Sequence, residues 1–352
     1  MRQIVIDGVT YGDERPFIIG EVGHNHGGVL GNAKRIVAAA KRSGASAVKF
    51  QTRIPKEVYQ QNDKRGAYYF KSENPQWMHP VYGEHREALE FTVDEWKDLF
   101  AYCKTQGITA ISTPFDFQSA FLLNELGVPA FKIASGDANN TPLLKSVARY
   151  GKPMIVSTGG CTMDDVQRIV ATLESKVPFA LLQCTCVYPA TANTLNLKVI
   201  ETYRKEFPDV VIGLSSHYPS WEVNLAAYTL GARIFENHFT VNRRWKGTDN
   251  PFSLTPKMMY QFIDGLRQVD AALGNGVKTV HQVEELPTLE RRKSLVWRRD
   301  LEPGHLVDDT DLTVKCPGDG MEPWKWDRVV RKIVLRPVKA ESIVTEADVD
   351  RT

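Results

Sequence analysis

Residues able to hold anions, carry protons or ligate a metal recur at the downstream ends of short apolar runs. Glu21 follows "FIIG", Lys49 and Gln51 fall in "AVKFQT", Thr113 lies in "AISTPF", and Lys132 and Ser135 lie in "FKIAS". Ser157 closes "PMIVS", Tyr188 comes shortly after "FALLQC", His217 ends "VIGLSSH", and His238 stands in "RIFENHF". Apolar segments that end this way must offer those groups to a polar ligand, to water or to one another. Lys49 and Lys132, on separate runs, would converge two positive charges, and Thr113, Ser135, Ser157 and Ser215 add hydroxyls. Such a set fits a phosphate or carboxylate. His217 and His238 end consecutive runs and suit a divalent transition ion with open positions for water or substrate oxygens, or else form a hydrogen-bonded core pair. Lys132 alone would serve a Schiff-base aldolase, a chemistry with no need of two histidines.

The elements that carry these residues alternate. Eight β-rich runs (17–23, 47–52, 110–115, 131–135, 153–158, 179–184, 211–217 and 233–239) are separated by stretches of helical period, such as Leu30, Ala33, Val37 and Ala40 on one face. Near-continuous apolar strands between helices predict an α/β fold, a (β/α)₈ TIM barrel, with a doubly wound open sheet as the alternative. In a barrel of this kind the strand ends named above share one mouth. Residues 53–92 are too long and too aromatic for an ordinary connection and read as a lid over that mouth. The barrel is expected over residues 1–275, a polar linker over 276–293, and a small β-rich domain with Pro-Gly turns over 294–352. No internal repeat beyond the βα unit is expected.

Composition narrows the classes. Lys and Arg total 44 against 42 Asp and Glu, which leaves no basic footprint for nucleic acid or an anionic membrane. No apolar stretch is long enough to span a bilayer, and the opening residues lack a signal-peptide centre, so a soluble cytoplasmic protein is expected. Five scattered cysteines do not form a disulfide framework. Cys184 and Cys186 of "CTC" place two sulfurs on one strand face and read as packing. His24 and His26 read as structural loop residues, and "RRKSLVWRR" (291–299) as a solvated interdomain contact.

Taken in order, "IIGEVGHNHGG", "AVKFQT", "ISTPFD", "PAFKIASGDANNTPLLKSVARYGKPMIVSTG", "LLQCTCVYP", "IGLSSH" and "ENHFTVNRRWKGTDNPFSLTP" resemble the sialic acid synthase family, and the tail from about Ser294 is similar to its SAF, or antifreeze-like, domain. The resemblance implies condensation of phosphoenolpyruvate with the open-chain aldehyde of a hexosamine such as N-acetylmannosamine or its 6-phosphate. The products are a nine-carbon 2-keto-3-deoxy acid and phosphate. It further implies that Lys49, Thr113, Lys132, Ser135, Ser157 and Ser215 bind phosphoenolpyruvate, and that His217 and His238 hold a divalent metal, Mn²⁺ foremost, with Mg²⁺ or Co²⁺ as alternatives. Glu21, Gln51, Tyr188 and Asp249 match positions that orient the sugar or relay protons, and Asp137 matches a place for proton transfer. A domain-swapped homodimer is implied, each tail closing the other subunit's mouth.

Three positions depart from the family pattern. Cys316 in "VKCPG" stands where many relatives carry a sugar-binding Arg, Ser216 gives "SSH" in place of "SDH", and Asn237 replaces a basic residue before the second histidine. These changes bear on sugar recognition, since a bidentate donor is lost. A non-catalytic carbohydrate-binding barrel is the remaining alternative, and the joint presence of Lys49, Lys132, His217 and His238 speaks against it.

Overall fold

The computed structural model describes residues 2–62, 64–65 and 67–350, and the chain divides into two compact units, Met1–Leu273 and Gly274–Thr352. The first unit opens with a hairpin, β1 (Gln3–Ile6) and β2 (Val9–Gly12), turned by Asp7 and Gly8 at φ 54° and 73°. An Asp-Gly pair suits that turn, because glycine and small polar residues tolerate positive φ. Eight parallel strands follow: β3 (Phe17–Glu21), β4 (Ala47–Thr52), β5 (Thr109–Pro114), β6 (Phe131–Ile133), β7 (Met154–Ser157), β8 (Phe179–Cys184), β9 (Val211–Ser216) and β10 (Ile234–His238). They pair in chain order, and β10 closes onto β3 with His238 beside Glu21. The eight apolar runs of the sequence are these eight strands of a closed (β/α)₈ barrel.

The barrel interior changes character along its axis. At its lower end Phe17, Ile19, Ala47, Ile111, Ala130, Ile155, Ala180, Leu182, Val211 and Ile234 form one buried cluster, sealed by Ile4, Ile6 and Tyr11 of the hairpin. Because successive side chains point to opposite faces of a strand, the next inward residues lie two positions on. These are Glu21, Lys49, Thr113, Lys132, Ser157, Cys184 and Glu236, so an apolar floor carries a polar layer directly above it. Outward residues such as Val48, Phe50, Phe131 and Val156 pack on the surrounding helices. The helix Leu30–Arg42, for example, buries Ala33, Ile36, Val37 and Ala40.

The insertion after β4 holds the short helices Pro55–Val58 and Tyr82–Glu87, a 3₁₀ turn at Ala67–Tyr69, and an antiparallel bridge between Lys71 and Val81. Among the described residues no helix is long and apolar enough to cross a membrane.

In the second unit β11 (Ser294–Trp297) pairs antiparallel with β12 (Leu312–Lys315) around a core that includes Leu295, Trp297, Leu301, Val307, Val338 and Val344. An internal repeat, unexpected from the sequence reading, organises it. "RDLEPGHLVDDTDL" (299–312) and "RPVKAESIVTEADV" (336–349) share an Arg, a β-branched or aliphatic pattern and a buried Asp. Arg299 Nε donates to Asp311 at 2.6 Å and Arg336 Nε to Asp348 at 2.7 Å, while the backbone N–H groups of Asp308 and Thr345 donate to the same two carboxylates. The repeat is carried by spacing rather than identity, which is why matching letters do not reveal it.

Candidate active site

At the upper mouth of the barrel a cavity of about 410 Å³ is lined by Glu21, Lys49, Gln51, Thr113, Lys132, Ser135, Ser157, Tyr188, Ser215, His217, His238 and Asp249, among others. Residues from eight strands and their loops therefore meet in one place. Two buried lysines form its base. Lys49 Nζ lies 2.9 Å from Glu21 Oε2 and donates to Thr113 Oγ1 at 3.1 Å. Burial disfavours its charge, yet Glu21 and Glu236 outweigh burial and raise its pKa. Lys132 Nζ donates to Ser157 Oγ at 2.7 Å and to the Ile133 carbonyl at 2.8 Å, with Glu236 Oε2 at 3.8 Å. Here burial wins over Glu236, and the pKa falls.

The opposite wall carries the imidazoles. His217 Nδ1 lies 2.8 Å from the Thr185 carbonyl; donating there fixes the tautomer and leaves Nε2 with a free lone pair. Burial, then His238, lowers its pKa to about 4, so the ring is neutral. The His217 and His238 rings stand 5.4 Å apart, and the Tyr188 ring packs tilted against His217 with centroids 4.0 Å apart. Asp249 Oδ2 sits between two histidines, 3.3 Å from His238 Nδ1 and 3.4 Å from His24 Nδ1. Those contacts overcome burial and hold the Asp249 carboxyl well below the usual carboxylate range.

Local chain geometry makes room for this packing. Gly23 has φ 48°, and a Cβ there would come within 3.1 Å of both Asp249 Oδ2 and Glu21 Oε1. Asn25 clamps the loop after β3 across the barrel closure, donating to the Phe239 carbonyl at 2.9 Å and to Ser253 Oγ at 2.8 Å. His26 packs on Phe91 and accepts from the Gly28 N–H, a structural role, whereas His24 lines the cavity and pairs with Arg86. His24, read as a structural loop residue, lies on the turn after β3 with its ring tipped inward, against Asp249.

The sequence matches the NeuB family over residues 36–278 and a SAF domain over residues 292–350. The chain belongs to the NeuB family. It is 35% identical to the N-acetylneuraminate-9-phosphate synthase of Homo sapiens, over 96% of this chain and 94% of that one. It is 32% identical to the N,N'-diacetyllegionaminic acid synthase of Campylobacter jejuni, over 95% of this chain and all of that one. A solved N-acetylneuraminic acid synthetase from Leptospira borgpetersenii, crystallised with citrate, superposes with a TM-score of 0.72 at 30% identity, covering 81% of this chain and 95% of its own.

Within this NeuB-family barrel, Asp137 stands apart from the cavity. Asp137 ends the 3₁₀ turn Ser135–Asp137, and its carboxylate accepts from Asn140 Nδ2 at 3.1 Å, so it faces the start of the next helix while Gly136 lines the cavity instead. Cys316 lies in the second unit, exposed, its thiol donating to the Arg291 carbonyl. Ser216 and Asn237, expected to bear on sugar recognition, have the wrong strand parity for it. Asn237 accepts from Asn224 of the outer helix Glu222–Thr229 at 2.8 Å, and Ser216 Oγ accepts from the Tyr218 N–H.

Sequence reasoning missed Glu236. It is 6% exposed, accepts from Ser215 Oγ at 3.1 Å, and stays ionised because Lys132, Lys49 and His238 outweigh its burial. The signal was present, since Glu236 shares strand parity with His238 and pairs in register with Ser215. Arg53, Tyr59, Trp77, Tyr82, His85 and Arg86, all from the insertion, were also missed as lining residues.

Proposed function

We propose that this protein is a nonulosonic acid synthase: it joins phosphoenolpyruvate to the open-chain aldehyde of a hexosamine, yielding a nine-carbon 2-keto-3-deoxy acid and phosphate. Family membership supports the reaction class. The observation that carries it to this chain is the convergence of Lys49 and Lys132, backed by Thr113, Ser157 and Ser215, opposite the His217 and His238 imidazoles in one cavity.

In this reading the two ammonium groups and the hydroxyls hold the phosphate and carboxylate of phosphoenolpyruvate, in a dry site where such contacts are strong. Glu21 and Gln51, linked at 2.8 Å, and Asp249 face the acceptor's oxygens. The cavity walls carry four basic side chains, Lys49, Arg53, Arg86 and Lys132, against the carboxylates of Glu21, Glu236 and Asp249. That near-balance undercompensates a multiply charged anion, which favours an additional cation.

Among the described residues no group of three or more His, Cys, Asp or Glu is placed to hold a metal. The neutral His217 and the adjacent His238 nevertheless suit an ion, Mn²⁺ foremost, that takes its other ligands from water and substrate oxygens. When bound, it supplies Lewis-acid polarisation of the aldehyde oxygen. The protein is further read as a cytoplasmic homodimer in which each SAF domain serves the other subunit's mouth.

Burial lowers the Lys132 pKa, which is the one observation favouring a Schiff-base aldolase. The deciding experiment incubates the protein with phosphoenolpyruvate, Mn²⁺ and a panel of hexoses and hexosamines, free and 6-phosphorylated, with and without chelator. Phosphate release with one sugar, and a product mass of that sugar plus the enolpyruvyl-derived unit, is the expected result. Borohydride trapping of pyruvate on Lys132 without phosphate release would reverse the assignment.

A further inference from the structure

Basic groups reach the cavity from two sources. Lys49 and Lys132 rise from the strands, each facing a carboxylate, whereas Arg53, His85 and Arg86 come from the insertion after β4. The second set is rich in unmet donors. His85 is 1% exposed and its Nδ1 accepts from the Met78 N–H at 2.9 Å, so the ring proton sits on Nε2, a buried atom with no hydrogen-bond partner among the described residues. Trp77 stacks on that ring with centroids 5.1 Å apart and holds its orientation. Arg86 lies over the Tyr82 ring at 4.7 Å with Nη1 2.9 Å from His24 Nδ1, and its buried Nε likewise finds no acceptor among the described residues. Glu87, next to it in the chain, turns instead to Lys56 and Tyr68. Arg53 is 5% exposed, held over the Phe115 ring at 4.0 Å, with Nε 3.3 Å from Glu90 Oε1 and Nη2 donating to Gln51.

Buried donors without acceptors are costly unless a ligand accepts from them. The donor types select an anion: guanidinium groups present paired N–H bonds that match phosphate oxygens, and the imidazole N–H adds a third direction. Position tells which anion. Gln51 donates to Glu21 and accepts from Arg53, while His24 stands between Asp249 at 3.4 Å and Arg86 at 2.9 Å. Each arginine is therefore one side chain beyond a residue that the synthase reading sets against the acceptor's oxygens. An acceptor with its aldehyde near His217 and His238 passes Asp249 and Gln51 and ends at this cluster.

We propose that Arg53, His85 and Arg86 form an anion subsite for a phosphate ester on the acceptor carbon farthest from the aldehyde, separate from the lysines that hold phosphoenolpyruvate. The inference rests on the synthase reading for the direction of the acceptor, and on the unmet donors alone for the anion. The cavity then receives two phosphates, one at each set of basic groups, and a phosphorylated hexosamine is preferred over the free sugar. A carboxylate at that end offers two oxygens where the phosphate offers three.

The test uses N-acetylmannosamine reduced with borohydride, free and as its 6-phosphate, because a hexitol has no aldehyde to condense and reports binding alone. Isothermal titration calorimetry on the full chain should show the phosphorylated hexitol binding about 100-fold more tightly than the free one. Saturating phosphoenolpyruvate should leave it bound. Arg86→Gln should cut the preference to roughly tenfold or less, and Arg86→Lys, which keeps the charge without the fork, should restore part of it. His85→Asn keeps an acceptor for the Met78 N–H and removes the Nε2 donor, so it should lower the preference severalfold. The wild-type comparison stands whatever the stability of the variants. Equal affinity for the two hexitols, displacement of the phosphorylated one by phosphoenolpyruvate, or an unchanged preference in Arg86→Gln would overturn the subsite. If the phosphorylated hexitol binds as expected but neither parent sugar releases phosphate from phosphoenolpyruvate, the synthase reading fails and the subsite stands.

Discussion

The carboxylate of Glu236 lies 3.8 Å from the ammonium of Lys132 with one oxygen, Oε2, lacking any hydrogen-bond donor. Both groups are buried, Lys132 on β6 and Glu236 on β10 across the barrel interior, and Glu236 Oε1 is held by Ser215. A buried ammonium beside a half-satisfied carboxylate is stable only as a pair, because either charge alone would bear its full desolvation cost. The relationship places Glu236 in the anion-holding layer: its charge opposes the fall that burial imposes on the Lys132 pKa and leaves that lysine free to turn toward a stronger anionic ligand.

Glu236→Gln keeps the shape and the Ser215 hydrogen bond but removes the charge. Lys132 then faces burial and Lys49 unopposed by its main partner. The expected stability loss is about 3 kcal/mol in urea denaturation, and phosphate release should fall roughly 100-fold. A variant as stable as the parent would show that Glu236 does not support Lys132.

The metal assignment makes a separate prediction. With Nδ1 committed to Thr185, His217 has only Nε2 to offer an ion. His217→Ala, loaded with Mn²⁺ and passed through gel filtration, should retain roughly a tenth or less of the wild-type metal, since a two-imidazole site cannot hold the ion on one. Undiminished metal content, measured by mass spectrometry of the elements, would locate the ion elsewhere.

Glu90 supplies a pH test away from the imidazoles. Burial raises its pKa to about 7, with Arg53 and Arg86 opposing and Asp116 adding to the rise. In the unfolded chain the group ionises near 4.5, so between the two values the native state holds a proton that the unfolded state has lost. Stability from this group is therefore complete below pH 4.5 and declines as pH rises toward 7. Glu90→Gln should flatten that part of the profile and exceed the parent at pH 8 by up to about 3 kcal/mol. Parallel profiles for the two proteins would contradict the assignment.

The barrel and its mouth were legible because two periodicities coincide. Strand runs such as "AVKFQT" and "VIGLSSH" carry both the apolar burial signal and, at their ends, the polar residues that the closed sheet brings together. Lys49, Lys132, His217 and His238 needed only that rule. Glu236 was hidden by its setting, since a carboxylate inside "RIFENHF" looks like an interruption until strand parity aligns it with His238. Ser216 and Asn237, singled out as departures from the family pattern, adjoin site residues in sequence yet have the opposite strand parity. His24 and the insertion's Arg53 and Arg86 depend on how irregular chain folds back over the mouth, which no period encodes. Asp137 fell outside because a 3₁₀ turn, not a strand, sets its direction.

The repeat in the second unit gives the last prediction. Asp311 and Asp348 are almost wholly buried, and each accepts from an Arg Nε and from a backbone N–H at the start of its own turn. Asp311 also meets His305 Nε2 at 2.7 Å, and Asp348 faces Trp297 Nε1 at 3.4 Å. If the two halves are equivalent in energy as well as in form, Asp311→Ala and Asp348→Ala should each cost about 2–3 kcal/mol, the penalty for stranding buried donors. The loss should be confined to residues 274–352, read as faster hydrogen exchange at Leu295, Trp297 and Val344 with the exchange of β4 and β9 unchanged. Burial raises the Asp311 pKa, but its Asp308, His305 and Arg299 contacts outweigh it, leaving the group below its ordinary value, so its contribution is present near neutral pH and fades as acid protonates it. Loss of protection spreading into the barrel would show instead that the two units unfold together.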